Sequence, residues 1–309
     1  MSTTGTTAFN LDINDLIEEA FERCGLEVRS GYDFRTARRS LNLLTIEWAN
    51  RGINLWTVEQ GQIVMNTNQA LYALPVNTID ILDASTRTNN GSQSNQTDIN
   101  LSRISEPVYM AIPNKNANGR PVQMWINRQS GEVPSIAQTT LNGGISSTDS
   151  TITLANAANL PTQGFINIDN ETIAYQNIVG NQILNAWRGQ NGTTAAAHST
   201  AASVFNNNLP SINVWPTPNP PGSQYTLVYY RMRRIQDSGT GVRTQDIPFR
   251  FIPCMVAGLA YHLSVKLPGV DPGRMPMLKA EYEQQFQLAA EEDREKAAIR
   301  FVPRNLFYS

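Results

Sequence analysis

The sequence predicts an α+β protein: a helical bundle made by two N-terminal and two C-terminal helices, with a β-rich section and an inserted small all-β domain. Three observations lead there. Apolar residues recur at helical spacing in two segments near each end of the chain. Between those ends the pattern becomes extended. Within the extended part lies a long, nearly uncharged stretch of short alternating runs separated by turn residues.

The first helix is expected over 12–24, where Asp12 caps it, Asp15 falls in its first turn and Gly25 supplies a left-handed stop. Leu16, Ile17, Ala20, Phe21 and Cys24 form its apolar face. The second is expected over 33–51, with Asp33 as cap, Gly52 as stop, and Ala37, Leu41, Leu44 and Trp48 as a buried stripe. Arg35, Arg38 and Arg39 sit near its start, the end at which the helix dipole does not favour cations. They are candidates to face an acidic neighbour or DNA, against the plainer reading of a solvated basic face.

From 56 to 84 the pattern is extended, and 86–97, almost free of apolar residues, reads as a loop. A short helix or turn starts near Glu106, and a strand carrying Trp125 covers 122–127. Between 134 and 208 the only charged residues are Asp149, Asp169, Glu171 and Arg188, and short strands are expected at 164–168, 171–175 and 182–186. Val133-Pro134-Ser135-Ile136 is echoed by Leu209-Pro210-Ser211-Ile212, as though the chain leaves one sheet and rejoins it. Residues 134–208 are therefore the expected insertion, and 1–133 with 209–309 the main domain. Strands at 212–215 and 224–232 flank a proline-rich turn. Helices over 248–267 and 274–298 follow, and the tail from 299 onward is apolar and aromatic.

The search for chemistry finds no nucleophile, base or metal set with neighbours of matching type, so no enzyme, cofactor or metal is expected. His262 lies in an apolar helix and reads as a satisfied core or interface histidine; His198, in a run of small residues, reads as a turn or cap. Asp169 and Glu171 bring too few oxygens together for paired acid–base work or calcium. Gly239-Thr240-Gly241 lacks the lysine and helix of a phosphate loop. Cys24 and Cys254 read as buried, reduced thiols. The N-terminus has no signal-peptide pattern and no apolar run reaches membrane length, so a cytoplasm-like compartment and no membrane are expected.

Charged residues are only 16% of the chain, against roughly 25% in ordinary soluble proteins, which suits surfaces covered by neighbouring subunits. A net charge of −2 gives no global signature for gripping nucleic acid. It is compatible with a channel through which DNA slides, because each neutralised phosphate adds affinity. The local exception is Arg231, Arg233 and Arg234 beside Tyr229 and Tyr230, a combination that binds single strands or pairs with Asp or Glu across a subunit boundary.

The order of elements resembles a known family. Two helices run into Trp48-Ala49-Asn50-Arg51-Gly52-Ile53-Asn54-Leu55-Trp56; a Trp-containing strand, the Val214-Trp215-Pro216-Thr217-Pro218 turn and the Tyr229-Tyr230-Arg231 strand follow; then come Leu259-Ala260-Tyr261-His262-Leu263 and a helix containing Tyr282. This pattern, over 10–133 and 209–304, resembles the head-to-tail adaptors (tail accessory factors, tail tubular A type) of short-tailed bacteriophages. The segments 164–168, 171–175 and 187–193, with His198, resemble small β modules of phage tail proteins. The resemblance implies a structural virion protein, assembled in the host cytoplasm, that forms a ring of about twelve copies between the portal protein and the distal nozzle or needle protein. Such a ring extends the channel for double-stranded DNA and helps retain the genome. It also implies a C-terminal arm that reaches the portal, here Phe301, Val302, Leu306, Phe307 and Tyr308. The competing expectation is a tail-surface or fibre-attachment protein whose 134–208 insertion binds a tail fibre or glycan.

Overall fold

The computed structural model describes residues 5–7, 9–53, 55–129, 131–219 and 225–293. The chain is α+β, with five α-helices and many strands in several sheets among the described residues. It divides into two units, residues 1–57 with 235–309, and residues 58–234.

The first unit is helical and is organised by its most apolar segment. Helix α4, Ile252–Ser264, buries ten of its thirteen residues, among them Cys254, Met255, Leu259 and Leu263. A helix apolar on all sides must be covered on all sides. Helices α1, Ile13–Cys24, α2, Gly31–Asn50, and α5, Arg274–Glu292, supply that cover. The fifth helix, α3, is the short Glu106–Met110 turn of the other unit.

Local chemistry sets the ends. Asp12 accepts from the Asp15 N–H, and Gly25, at φ 76°, turns the chain out of α1 in a conformation that other residues adopt at a cost. The second helix begins earlier than 33. Ser30 caps it and Asp33 is the third residue of a capping box, its carboxylate accepting from the Ser30 N–H at 3.0 Å. The expected stripe of Ala37, Leu41, Leu44 and Trp48 is fully buried. Helix α4 ends at Ser264, short of 267, and α5 is described only as far as Glu292. Both cysteines are buried and free; burial pushes the Cys24 thiol up to about 11 and the Cys254 thiol up to about 12. The residues expected to form a docking arm, Phe301, Val302, Leu306, Phe307 and Tyr308, lie outside the described residues.

The second unit contains the sheets. One sheet orders Val58–Val64, Tyr225–Arg233, Thr78–Thr88 and Thr97–Asn100, all antiparallel. The segment 86–97 is thus a hairpin with only its tip as loop. Thr86 is buried with its hydroxyl on the Pro121 carbonyl, and Arg87 pairs with Asp98 across the ladder. A second sheet orders Leu71–Ala73, Ser211–Trp215, Gln123–Asn127 and Ser102–Arg103. Its middle strands, Gln123–Asn127 and Ser211–Trp215, are antiparallel neighbours, with Asn127 opposite Ser211. The chain between them therefore leaves one strand and returns on the next. The echoed tetrapeptides do not occupy equivalent places, since Ile136 is 76% exposed while Ile212 is fully buried.

Residues between those two strands build a five-stranded sheet, ordered Trp187–Gln190, Glu171–Tyr175, Gly164–Ile168, Ser203–Asn207 and Thr139–Thr140, and a three-stranded one. Their apolar faces meet in a core of Leu154, Ile166, Ile173, Tyr175, Ile183 and Val204. A smaller cluster packs Phe165 and Ala174 against Leu71, Ala73 and Leu209.

Close packing in the helical unit gives a first prediction. A Cβ on Gly258 would lie 2.8 Å from the Tyr282 ring and 2.9 Å from Leu44, where α4 meets α5 and α2. Gly258→Val is expected to destabilise the unit by about 1–3 kcal/mol through overpacking. Calorimetry on the purified chain checks it, and an unchanged Tm would mean that the helices have room to part.

Candidate functional site

Covering α4 uses the inner faces of α1 and α2 and leaves their outer faces to solvent. On α2 the outer positions recur at three and four residues: Tyr32, Arg35, Arg39, Leu43 and Ile46. Tyr32 is 62% exposed, Leu43 53% and Ile46 50%, an unusual apolar load for a solvated face. Tyr32, Arg35, Arg38 and Arg39 line an open cleft of about 450 Å³. The three arginines picked out in the sequence are therefore together on one helix. The apolar half of their stripe was missed, although its period was readable. On α1 the outer positions are Asp15, Glu18 and Glu22, while Glu19 is held by Arg23.

The second basic cluster is placed differently. Arg231 and Arg233 both close on Glu59 of the neighbouring strand, at 2.8 and 2.6 Å, so their acidic partner is in the same chain. Arg231 also donates to Asn77 and Thr78. Arg234, at the strand end, is exposed and does not join them. Asp80 gathers Arg103 and Arg128.

The two histidines sit in networks. Half-buried His262 meets Glu47 at 3.2 Å; the Tyr282 hydroxyl donates to the same carboxylate, and Arg51 bridges it to Glu283. Burial, then the charge of Glu47, pushes the Tyr282 phenol up.

His198 is neither a turn nor a cap residue. It is buried, with Nδ1 2.7 Å from Asp169 and Nε2 2.8 Å from Glu171. Glu171, 1% exposed, also accepts a two-pronged contact from Arg188 at 2.8 and 2.7 Å and the backbone N–H groups of Gly189 and Ala196. Arg188 reaches on to the carbonyls of Ser146 and Ala196. Burial alone would raise the Glu171 carboxyl. Arg188, the two N–H groups and His198 outweigh it and hold the pKa at about 2. Every lone-pair direction of Glu171 is occupied, so the group braces the loop 194–198 against the strands. The signal was in the sequence: a module with four charged residues folds three of them, Asp169, Glu171 and Arg188, into one network with its histidine. Separations of up to 29 residues hid it.

A polar cleft of about 810 Å³ opens in the same unit, lined among others by Asn68, Asn116, Gln163, Gln176, Asn185 and Trp187. Among the described residues no cluster of His, Cys, Asp and Glu is arranged to hold a metal ion, and no helix is long and apolar enough to cross a membrane.

The exposed apolar and basic side chains on the outer face of α2 suit a surface covered by another molecule, as in the class of protein that works by being packed against others. The family model for the SU10 adaptor protein matches residues 116–304, more than half of the chain, and the chain belongs to that family. It is thus a structural phage adaptor and a component of the virion, in contact with other head or tail parts. No curated protein matches the chain.

Glu171 generates a prediction with a sign. A carboxyl whose pKa is about 2 when folded and near its ordinary 4.5 when unfolded adds stability above the unfolded value, and that stability is lost as pH falls through the folded one. The contribution is about 3 kcal/mol, present at pH 6 and draining between about pH 4.5 and 2. Glu171→Gln leaves Arg188 buried without its counter-charge and is expected to cost about 3–5 kcal/mol at neutral pH. Thermal melts across that pH range check both statements. A variant as stable as the parent at pH 7 would show that the network is not a brace.

Proposed function

We propose that this chain forms a ring between the portal and the distal tail of a short-tailed phage, extending the DNA channel and helping to retain the packaged genome. The observation that carries the proposal is membership of the adaptor family over 116–304. The chemistry agrees with it. A net charge of −2 suits a wall past which double-stranded DNA slides without sequence-specific grip. No catalytic role is assigned: His198, Glu171 and Asp169 are tied to one another and to Arg188. In this reading residues 134–208 are a module inserted into the adaptor body, and Phe301, Val302, Leu306, Phe307 and Tyr308 form the arm that docks on the portal. The resemblance to the adaptors of short-tailed phages implies about twelve copies in that ring.

Electron microscopy of the purified chain mixed with portal is the test. Closed rings stacked on portals are the expected outcome, and a chain that leaves portals bare sinks the proposal. Truncation after Ala298 is expected to remove portal binding while leaving the melting of both units unchanged. Full affinity in that truncation would refute the arm.

A second reading has one observation in its favour. The 810 Å³ cleft is lined by amide side chains and Trp187, groups that hydrogen-bond and stack on sugars, as a fibre- or glycan-binding tail protein would need. Trimeric particles in the same micrographs would favour it.

A further inference from the structure

Two faces of the helical unit are complementary to each other, and we infer that the outer face of α1 on one copy docks on the outer face of α2 on the next copy of this chain. The inference deepens the ring proposed above and rests on it. Asp15, Glu18 and Glu22 are exposed along α1, and Arg35 and Arg39 along α2. Among the described residues, none of these five closes an ion pair within the chain, whereas their neighbours Glu19 and Arg23 do. Charges left unpaired in a chain with few charges, and sorted by sign onto separate helices, are matched for a partner that carries the opposite face.

The apolar groups follow the same order. Leu43 and Ile46 extend the α2 stripe beyond its arginines. At the N-terminal end of α1, the loop carrying Val242 is fastened by the Ile13 and Asn14 N–H groups to the carbonyls of Arg243 and Gly241, and Val242 is 79% exposed. Laid antiparallel, Glu22 meets Arg35, Glu18 meets Arg39, and Val242 meets Leu43 and Ile46. The lengths agree: Arg35 to Ile46 spans about 16 Å, and Asp15 to Glu22 about 10 Å with the loop beyond it. Because two different faces meet, every copy keeps one face free for the next. Such a heterologous contact generates a ring when its rotation closes.

Sedimentation of the full chain in low salt and at about 0.5 M salt, which screens exposed charges, provides the test. Three variants are needed: Glu18→Lys with Glu22→Lys, Arg35→Glu with Arg39→Glu, and all four together. All four positions are exposed, and circular dichroism verifies that each variant folds. The parent is expected to associate in low salt and to weaken in high salt. Each single-face reversal is expected to weaken association at least about tenfold, and the fourfold swap to restore it. Mixing the two single-face variants is likewise expected to restore assembly. Reversals that associate like the parent, a swap that fails to restore, or loss of DNA binding in the α2 variant with assembly intact overturns the inference. The first of these leaves the ring standing with other faces. A parent that stays monomeric in low salt also overturns it, and the portal micrographs then decide separately whether a ring exists.

Discussion

The helical unit depends on the burial of α4. Its sequence has almost no polar side, so the only stable arrangement covers it entirely, and that demand fixes which faces of α1, α2 and α5 point inward. What those helices show outside is then a remainder, free to be shaped by what binds there. On α2 the remainder includes exposed leucine and isoleucine, which raise no stability in an isolated chain and make sense on a covered surface. A small residue at Gly258 lets α4 approach α5 and α2 closely enough for this division between inner and outer faces to be sharp.

The β unit solves a different problem. The strands within 134–208 are short, and that segment has little charge with which to keep wrong pairings apart. Concentrating its ion pairs in one buried network around Glu171 ties a long loop, two strands and a turn to a single point. Buried networks contribute little net stability compared with an apolar core of the same volume, but they penalise any arrangement that leaves a member unpaired. Register, more than strength, is what this network supplies to a module whose strands are only two to five residues long.

How much of this was legible follows the range of each interaction. Asp12 and Gly25 act within four residues, and the α1 boundaries were readable from them. Asp33 misled because an acidic residue satisfies the first turn equally well as a cap or as the third residue of a capping box; only Ser30 distinguishes the two. The polar hairpin 86–97 was invisible because its strands are held by threonines and the Arg87–Asp98 pair, with no apolar alternation. His198 was misread because its partners lie 27 and 29 residues away, and no local pattern marks them. Arg35 and Arg39 of α2 stay exposed, whereas Arg231 and Arg233, similar in sequence, turn inward to Glu59. Charge clusters on a strand are easily satisfied by the next strand, about 5 Å away; those on the outer face of a helix have no such neighbour.

That difference bears on how an adaptor assembles. A large apolar interface would hold copies together at any salt concentration, whereas the outer faces of α1 and α2 carry a few charges and a few apolar side chains. Exposed ion pairs are individually weak, about 0–1 kcal/mol each, and screened by salt. Repeated around the proposed ring they would add, because the last contact closes within one particle at high effective concentration. In the proposed ring, the faces of α1 and α2, with two or three charges and a few apolar side chains each, give a contact between free copies that salt weakens and that closure of the ring reinforces.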